Sequence, residues 1–309
     1  MKRITEKPMR KNGFFRWGEE MSRRKLFCER GPVCYAISLH KEHLRRRLHD
    51  LVSGETFAAI QKREPLPFIV KSHKSTLLRK LSGVDMTLQQ NKVTNLNLAA
   101  KGVNGLVIYP GETFSFWRRV GNPSAKRGYL EGLAISGGVK ATSAVGGGLC
   151  QLANMVHWLV LQSPLTVTEL HHHSDALFPD DNRRVPFGTG TSVFYNNVDY
   201  RFRNDTTDAF QLCIWLDETD LCGELRCARK LPYRWRIEER DHHYSRAADG
   251  LYRNSEIWKK KIDRESGVVM EEYLVFRNHS RVLFDEALVP PDQIRPAAGK
   301  EAEAVLVEK

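Results

Sequence analysis

The chain contains no uninterrupted run of about 18 apolar residues, the length a membrane-crossing helix needs. A transmembrane helix is therefore excluded. The first residues are basic (Lys2, Arg3, Lys7, Arg10, Lys11), but no apolar segment follows them. That pattern predicts no secretory signal and a cytoplasmic chain. No internal period recurs, which excludes repeat and coiled-coil architectures. Cysteine is sparse: six residues, at 28, 34, 150, 213, 222 and 227, with no CxxC pair. Without an export signal, a disulfide framework is not expected. The spacing of Cys213, Cys222 and Cys227 matches no zinc knuckle, so no metal and no cofactor is expected.

Acidic residues are scarce in only one part of the chain. Residues 1–110 hold 22 Lys+Arg against 9 Asp+Glu, whereas residues 111–309 hold 26 against 28. The net charge of +11 thus resides in the N-terminal third. Such a face suits peripheral contact with an anionic membrane surface or an anionic ligand. No nucleic-acid-binding motif accompanies it, so a nucleic acid is not the expected partner.

The apolar content of 41% is enough to bury a full core. Residues 41–63 read as a helix with Leu44, Leu48, Leu51 and Val52 on one side, ended by Pro65 and Pro67. A short helical turn is expected over 75–81 and a helix over 91–100, with Val93, Leu96 and Ala100 aligned. Residues 105–117 read as strand, Pro110-Gly111 turn, strand, with Phe114 and Phe116 facing in and Thr113 and Ser115 facing out. A short hairpin follows around 133–138. Leu152, Met155, Val156, Leu159 and Val160 repeat as a helix does, and Pro164 stops them. Strands are expected over 165–170, 192–195, 199–202, 210–216 and 224–228. Alternation beyond residue 232 predicts a small antiparallel appendage. Helices and strands that cluster rather than alternate point to an α+β fold. The expected layout is a basic helical region (1–74), a central domain (75–230), a β-rich appendage (231–292) and a flexible tail (293–309).

The stretch VGGGLCQL at 145–152 stands out. Gly146, Gly147 and Gly148 permit close backbone approach and lead into Cys150 at the start of a helix. The free amides and dipole there favour an anion, which would lower the thiol and leave a thiolate nucleophile near an oxyanion hole. The alternative is a small core cysteine at a tight helix–sheet contact. His157 lies about 10.5 Å along the same helix, too far to act as its base. The strand ending at His171-His172-His173 is better placed. Alternation puts at most two of the three on one side, which also limits them as metal ligands. A carboxylate from Asp175, Asp180 or Asp181 would orient the imidazole. Arg183, Arg184 and the glycines of Pro186-Phe-Gly-Thr-Gly190 could grip a carboxylate or phosphate.

Taken together, GVDMTLQQNKVTNLNLA (83–99), PGETFSFW (110–117), VGGGLCQL, HHHSD (171–175) and FPDDNRRVPFGTGTSVFYNNVDYRFRN (178–204) resemble the VanW family over roughly residues 75–230. That family is named for an accessory protein of B-type vancomycin resistance clusters. The family's glycine-cysteine-glutamine motif falls on Gly146, Gly147, Gly148, Cys150 and Gln151. Its His-Ser pair falls on His173 and Ser174, and its turn on Pro186 and Gly188. Leu170 stands where many members carry arginine. The resemblance implies an accessory role in glycopeptide resistance or cell-wall metabolism. Two chemistries fit the residues. In one, Cys150, His173 and Asp175 form a hydrolase or acyltransferase for peptide-like substrates. In the other, Gly146, Gly147, Gly148, Gln151, Arg183, Arg184 and Gly188 belong to a binding module for an anionic cell-wall precursor.

Overall fold

A computed structural model describes residues 26–78, 85–136, 140–172, 175–176, 185–195 and 198–295. The chain divides into two compact units, residues 1–45 and 46–309. The first unit contains a 3-10 turn at Phe27–Arg30 and the opening turns of helix α1 (Pro32–Val52). Proline is well suited to the first helical position because its missing N–H is unpaired there anyway.

In the second unit the strands in chain order are β1 (Thr56–Phe57), β2 (Phe68–Thr76), β3 (Leu106–Ile108), β4 (Glu112–Ser115), β5 (Glu131–Ser136), β6 (Lys140–Val145), β7 (Thr166–Glu169), β8 (Asp175–Ala176), β9 (Arg201–Arg203), β10 (Phe210–Leu216), β11 (Asp220–Cys227), β12 (Tyr233–Ala247), β13 (Gly250–Asp263), β14 (Val269–Val282) and β15 (Ile294–Arg295). The helices are α2 (Met86–Val103), α3 (Phe116–Val120) and α4 (Cys150–Leu161). The strands build sheets of order β1-β4-β9-β7, β2-β11-β10-β3 and β15-β12-β13-β14-β8, with β5-β6 as a separate hairpin. Pairing is mostly antiparallel, and the whole is the expected α+β arrangement.

The principal core joins one face of α2 (Leu96, Ala99, Val103), one face of α4 (Leu152, Met155, Val156, Leu159) and the inner faces of the first two sheets, including Phe114, Tyr200, Phe202, Phe210 and Leu212. Asp85 caps α2 by accepting the Thr87 amide at 2.8 Å. This satisfies one of the first-turn donors that a helix leaves open. The appendage β12–β14 forms a second, smaller core, in which Trp158 and Leu161 of α4 meet Ile237 and Ile257.

Several expectations are corrected. The helix read over 41–63 begins earlier, at Pro32, and ends at Val52. Gly54 then takes a positive φ of 68°, and Thr56–Phe57 pair with β4. Its leucine side is not core: Leu44, Leu48, Leu51 and Val52 are exposed. Residues 75–76 end strand β2 rather than opening a helical turn. Thr113 and Ser115 are buried along with Phe114, so β4 is covered on both faces. The strand read at 192–195 is a single bridge between Phe194 and Val198, and β9 pairs instead with β4 and β7.

Candidate functional site

The hairpin β5-β6 delivers the chain into a glycine turn that opens α4. Gly146 and Gly148 have φ of 78° and 92°, a region that L side chains rarely adopt. Space is as restrictive as angle. A Cβ on Gly147 would overlap the Gly132 carbonyl, and one on Gly148 would overlap the Lys92 side chain. One on Gly146 would come within 2.6 Å of Pro123 Cβ. The fully buried Asn95 of α2 fastens this contact. Its Nδ2 donates to the carbonyls of Leu130 (2.9 Å) and Gly147 (3.0 Å), and its Oδ1 accepts the Leu130 amide (2.8 Å). The glycines therefore let the turn press against strand β5 and helix α2.

Cys150 is the first residue of α4. Its Sγ lies 3.8 Å from the Val193 carbonyl oxygen, to which the thiol donates. Burial pushes the thiol up from its ordinary value, and the Val193 hydrogen bond does not reverse this. The direction is opposite to the lowering expected at a helix start, and dehydration of the thiolate is its largest cause. Gln151 is engaged as well. Its Nε2 donates to Ser75 Oγ at 3.0 Å and to the Thr76 carbonyl at 2.9 Å, tying α4 to the end of β2.

The segment after the proline turn closes over the same helix end. The Thr191 amide donates to Asn154 Oδ1 at 2.6 Å, and the Ser192 amide donates to the His171 carbonyl at 2.7 Å. Thr189 Oγ1 donates back to the Pro186 carbonyl at 2.7 Å. Gly188 has a φ of 78° and sits against Phe276 and Asn278 of β14. The glycine turn, the histidine strand and the 185–193 segment thus meet at the N-terminal end of α4. Asn154 was not singled out from sequence. It lies one helical turn after Cys150, a spacing that places both on one side.

The described histidines have their own partners. His171 Nε2 is 3.0 Å from Glu169 Oε1. The His172 ring packs against Phe276 with centroids 4.7 Å apart. His157 is fully buried, with Nδ1 3.2 Å from the Tyr200 hydroxyl, and burial lowers it to about 3. It is a neutral core histidine. His173, Ser174, Asp180, Asp181, Arg183 and Arg184 lie outside the described residues. So does the side chain of Asp175, whose backbone pairs with Arg281 in β8. Among the described residues, no three His, Cys, Asp or Glu side chains converge as metal ligands. All six cysteines are free thiols.

A family profile described as VanW like protein matches residues 91–226. The vancomycin B-type resistance protein VanW of Enterococcus faecalis is 31% identical over 231 residues, which cover 75% of this chain and 84% of that protein. The chain belongs to the VanW family. An uncharacterized protein of Bacillus subtilis, YoaR, is 31% identical over 110 residues, 36% of this chain and 34% of its own length. No solved structure matches. The VanW match runs from α2 to β11 and so contains the glycine turn, Cys150, the histidine strand and the 185–193 segment. Helix α1 and the three long strands of the appendage lie outside it.

One feature, which joins α1 to the matched region, has no signature in the sequence. Arg201 of β9 is 4% exposed and meets Asp50 Oδ1 at 2.8 Å and Asp199 Oδ2 at 2.8 Å. Asp199 also accepts Ser115 Oγ (2.6 Å) and the Trp117 amide (3.1 Å). Arg46 grips Glu169 with both guanidinium nitrogens at 2.6 Å. Burial works against the charge of Arg201, yet Asp50 and Asp199 hold it more firmly protonated than usual. For Glu169, burial alone would raise the carboxyl, but His171, Arg46 and Arg201 hold it down to about 2.

Further buried cations lie on β13. Lys259 Nζ donates to the Ser163 carbonyl at 2.8 Å, and burial lowers it to about 8. The Arg253 guanidinium stacks over Phe187 at 4.0 Å, beside the proline turn, and burial lowers it to about 10.

Proposed function

We propose that this VanW-family chain is an accessory factor of glycopeptide resistance or cell-wall metabolism that binds an anionic, peptide-like cell-wall precursor at the N-terminal end of α4. The convergence of the glycine turn, the histidine strand and the 185–193 segment carries the proposal. It brings Cys150, Asn154, His171 and residues 190–193 into one neighbourhood. The Cys150 thiol, bonded to the Val193 carbonyl and raised by burial, favours binding over nucleophilic chemistry. Arg253, stacked over Phe187 beside the proline turn, adds positive potential, which favours an anion. The role in resistance comes from the E. faecalis relative, and YoaR adds no activity of its own.

Titration of the full chain with a pyrophosphate-bearing muramyl pentapeptide, followed by calorimetry, tests this reading. Saturable binding is expected. The double exchange Arg183→Ala/Arg184→Ala should weaken it by roughly tenfold or more, the scale of losing charge-assisted hydrogen bonds. Absence of binding, or binding indifferent to both arginines, contradicts the proposal.

A further inference from the structure

Helix α1 is amphipathic, and its apolar residues are exposed in each unit. In the first unit Val33, Ile37 and Leu44 are 70%, 52% and 59% exposed; in the second, Leu48 and Leu51 are 52% and 79% exposed. At 3.6 residues per turn these five positions fall within roughly one-sixth of the helix circumference. The other side of the second-unit turns is already used, where Arg46 and Asp50 bond Glu169 and Arg201. Lys41 and Arg47 border the stripe on its two sides. Arg45 lies further round, with 79% of its side chain exposed.

The chemistry around the stripe says what covers it. Residues 1–52 hold 14 Lys+Arg against 6 Asp+Glu. Aromatic residues are interleaved with that charge, as in Arg10-Lys11, Phe14-Phe15-Arg16-Trp17 and Arg23-Arg24-Lys25. Leu26 and Phe27, immediately before the helix, are also exposed. A second copy laid against the stripe would bring two sets of like charges together, which is unfavourable. An anionic bilayer complements both halves of the pattern. Its acyl boundary takes the apolar stripe, and its headgroups take the lysines and arginines. No helix among the described residues is long and apolar enough to cross a membrane.

We propose that α1 lies flat in the surface of an anionic lipid bilayer, with Val33, Ile37, Leu44, Leu48 and Leu51 inserted and Lys41 and Arg47 at the headgroups. This holds whether or not the α4 site binds a wall precursor, because it uses different residues.

Co-sedimentation of the full chain with vesicles of phosphatidylglycerol and phosphatidylcholine tests it, against vesicles of phosphatidylcholine alone. The chain should sediment with the anionic vesicles only. The triple exchange Ile37→Glu/Leu44→Glu/Leu48→Glu should lower that binding roughly tenfold or more, and Lys41→Glu/Arg47→Glu should lower it at low salt. All five positions are solvent-facing or border the stripe, and unchanged circular dichroism of the variants confirms that they fold. Three results overturn the proposal: no sedimentation of the parent chain; equal sedimentation of parent and triple variant, which assigns binding to residues 1–25; or a concentration-dependent dimer in ultracentrifugation that the triple exchange abolishes, which assigns the stripe to a second copy.

Discussion

Gly147→Ala is expected to destabilise the fold by about 3 kcal/mol, the upper end of the cost of overpacking and a large fraction of a marginally stable domain's stability. The added methyl would overlap the Gly132 carbonyl, and neither backbone can withdraw easily. Gly132 belongs to β5, paired to β6 along its length, and the Gly147 carbonyl is held by Asn95. Gly132→Ala should have a comparable effect, because its own methyl would sit 2.6 Å from the Gly147 oxygen. Gly111→Ala provides the contrast. That residue has a positive φ of 81° but open space around it, so only backbone strain of about 1 kcal/mol is expected. Urea midpoints of the three variants separate crowding from strain. Equal, small shifts at all three positions would mean that the glycine turn does not press against β5.

Arg201→Ala should cost about 3 kcal/mol, because it leaves the buried Asp199 carboxylate with neutral donors alone and Asp50 with only the half-exposed Arg118. Both are under 8% exposed on their side chains and cannot recover full hydration. Asp199→Ala in the Arg201→Ala background should cost less than in the parent chain, a coupling of about 1 kcal/mol or more. The same network sets an acid limit on the fold. Glu169 is held at about 2, below its unfolded value near 4.5, so its contribution is complete above pH 4.5 and is lost as pH falls toward 2. Replacing Glu169 by Gln should flatten that part of the stability–pH curve. A purely additive double mutant, or an unchanged acid limb, would contradict the network described.

What the sequence disclosed follows from where each signal is stored. Helix α4 was readable because its apolar residues repeat at helical spacing, with glycine before it and Pro164 after it. The appendage was readable because three long strands alternate. Helix α1 was readable as amphipathic, but a periodic stripe does not say which side meets the body of the protein. Here Arg46 and Asp50 turn inward and the leucines outward. Strand β2 was missed because its Lys71-Ser-His-Lys-Ser75 stretch lacks the apolar alternation of a half-buried strand. The Arg201 network was hidden by distance along the chain. Asp50 is 151 residues from Arg201, and no local pattern joins them. An Asp199-Tyr-Arg201 alternation beside Phe202 was the one available hint, since charge inside an apolar strand requires a partner.

The glycine motif is the instructive case. Three glycines before a cysteine suggested a thiol displayed for chemistry. The structure accounts for them by close contact with Gly132, Lys92 and Pro123. The same contacts fix the start of α4, where the Cys150 thiol lies 3.8 Å from the Val193 carbonyl oxygen. A motif can be specific to a family because it builds a scaffold.

Site-resolved alkylation of Cys150 by iodoacetamide across pH, read by mass spectrometry on the intact fold, tests the binding account most directly. The account predicts slow labelling at neutral pH, with a midpoint above the ordinary thiol value of about 8.5. Rapid labelling with a midpoint near or below 7 would reveal an activated thiolate and contradict it.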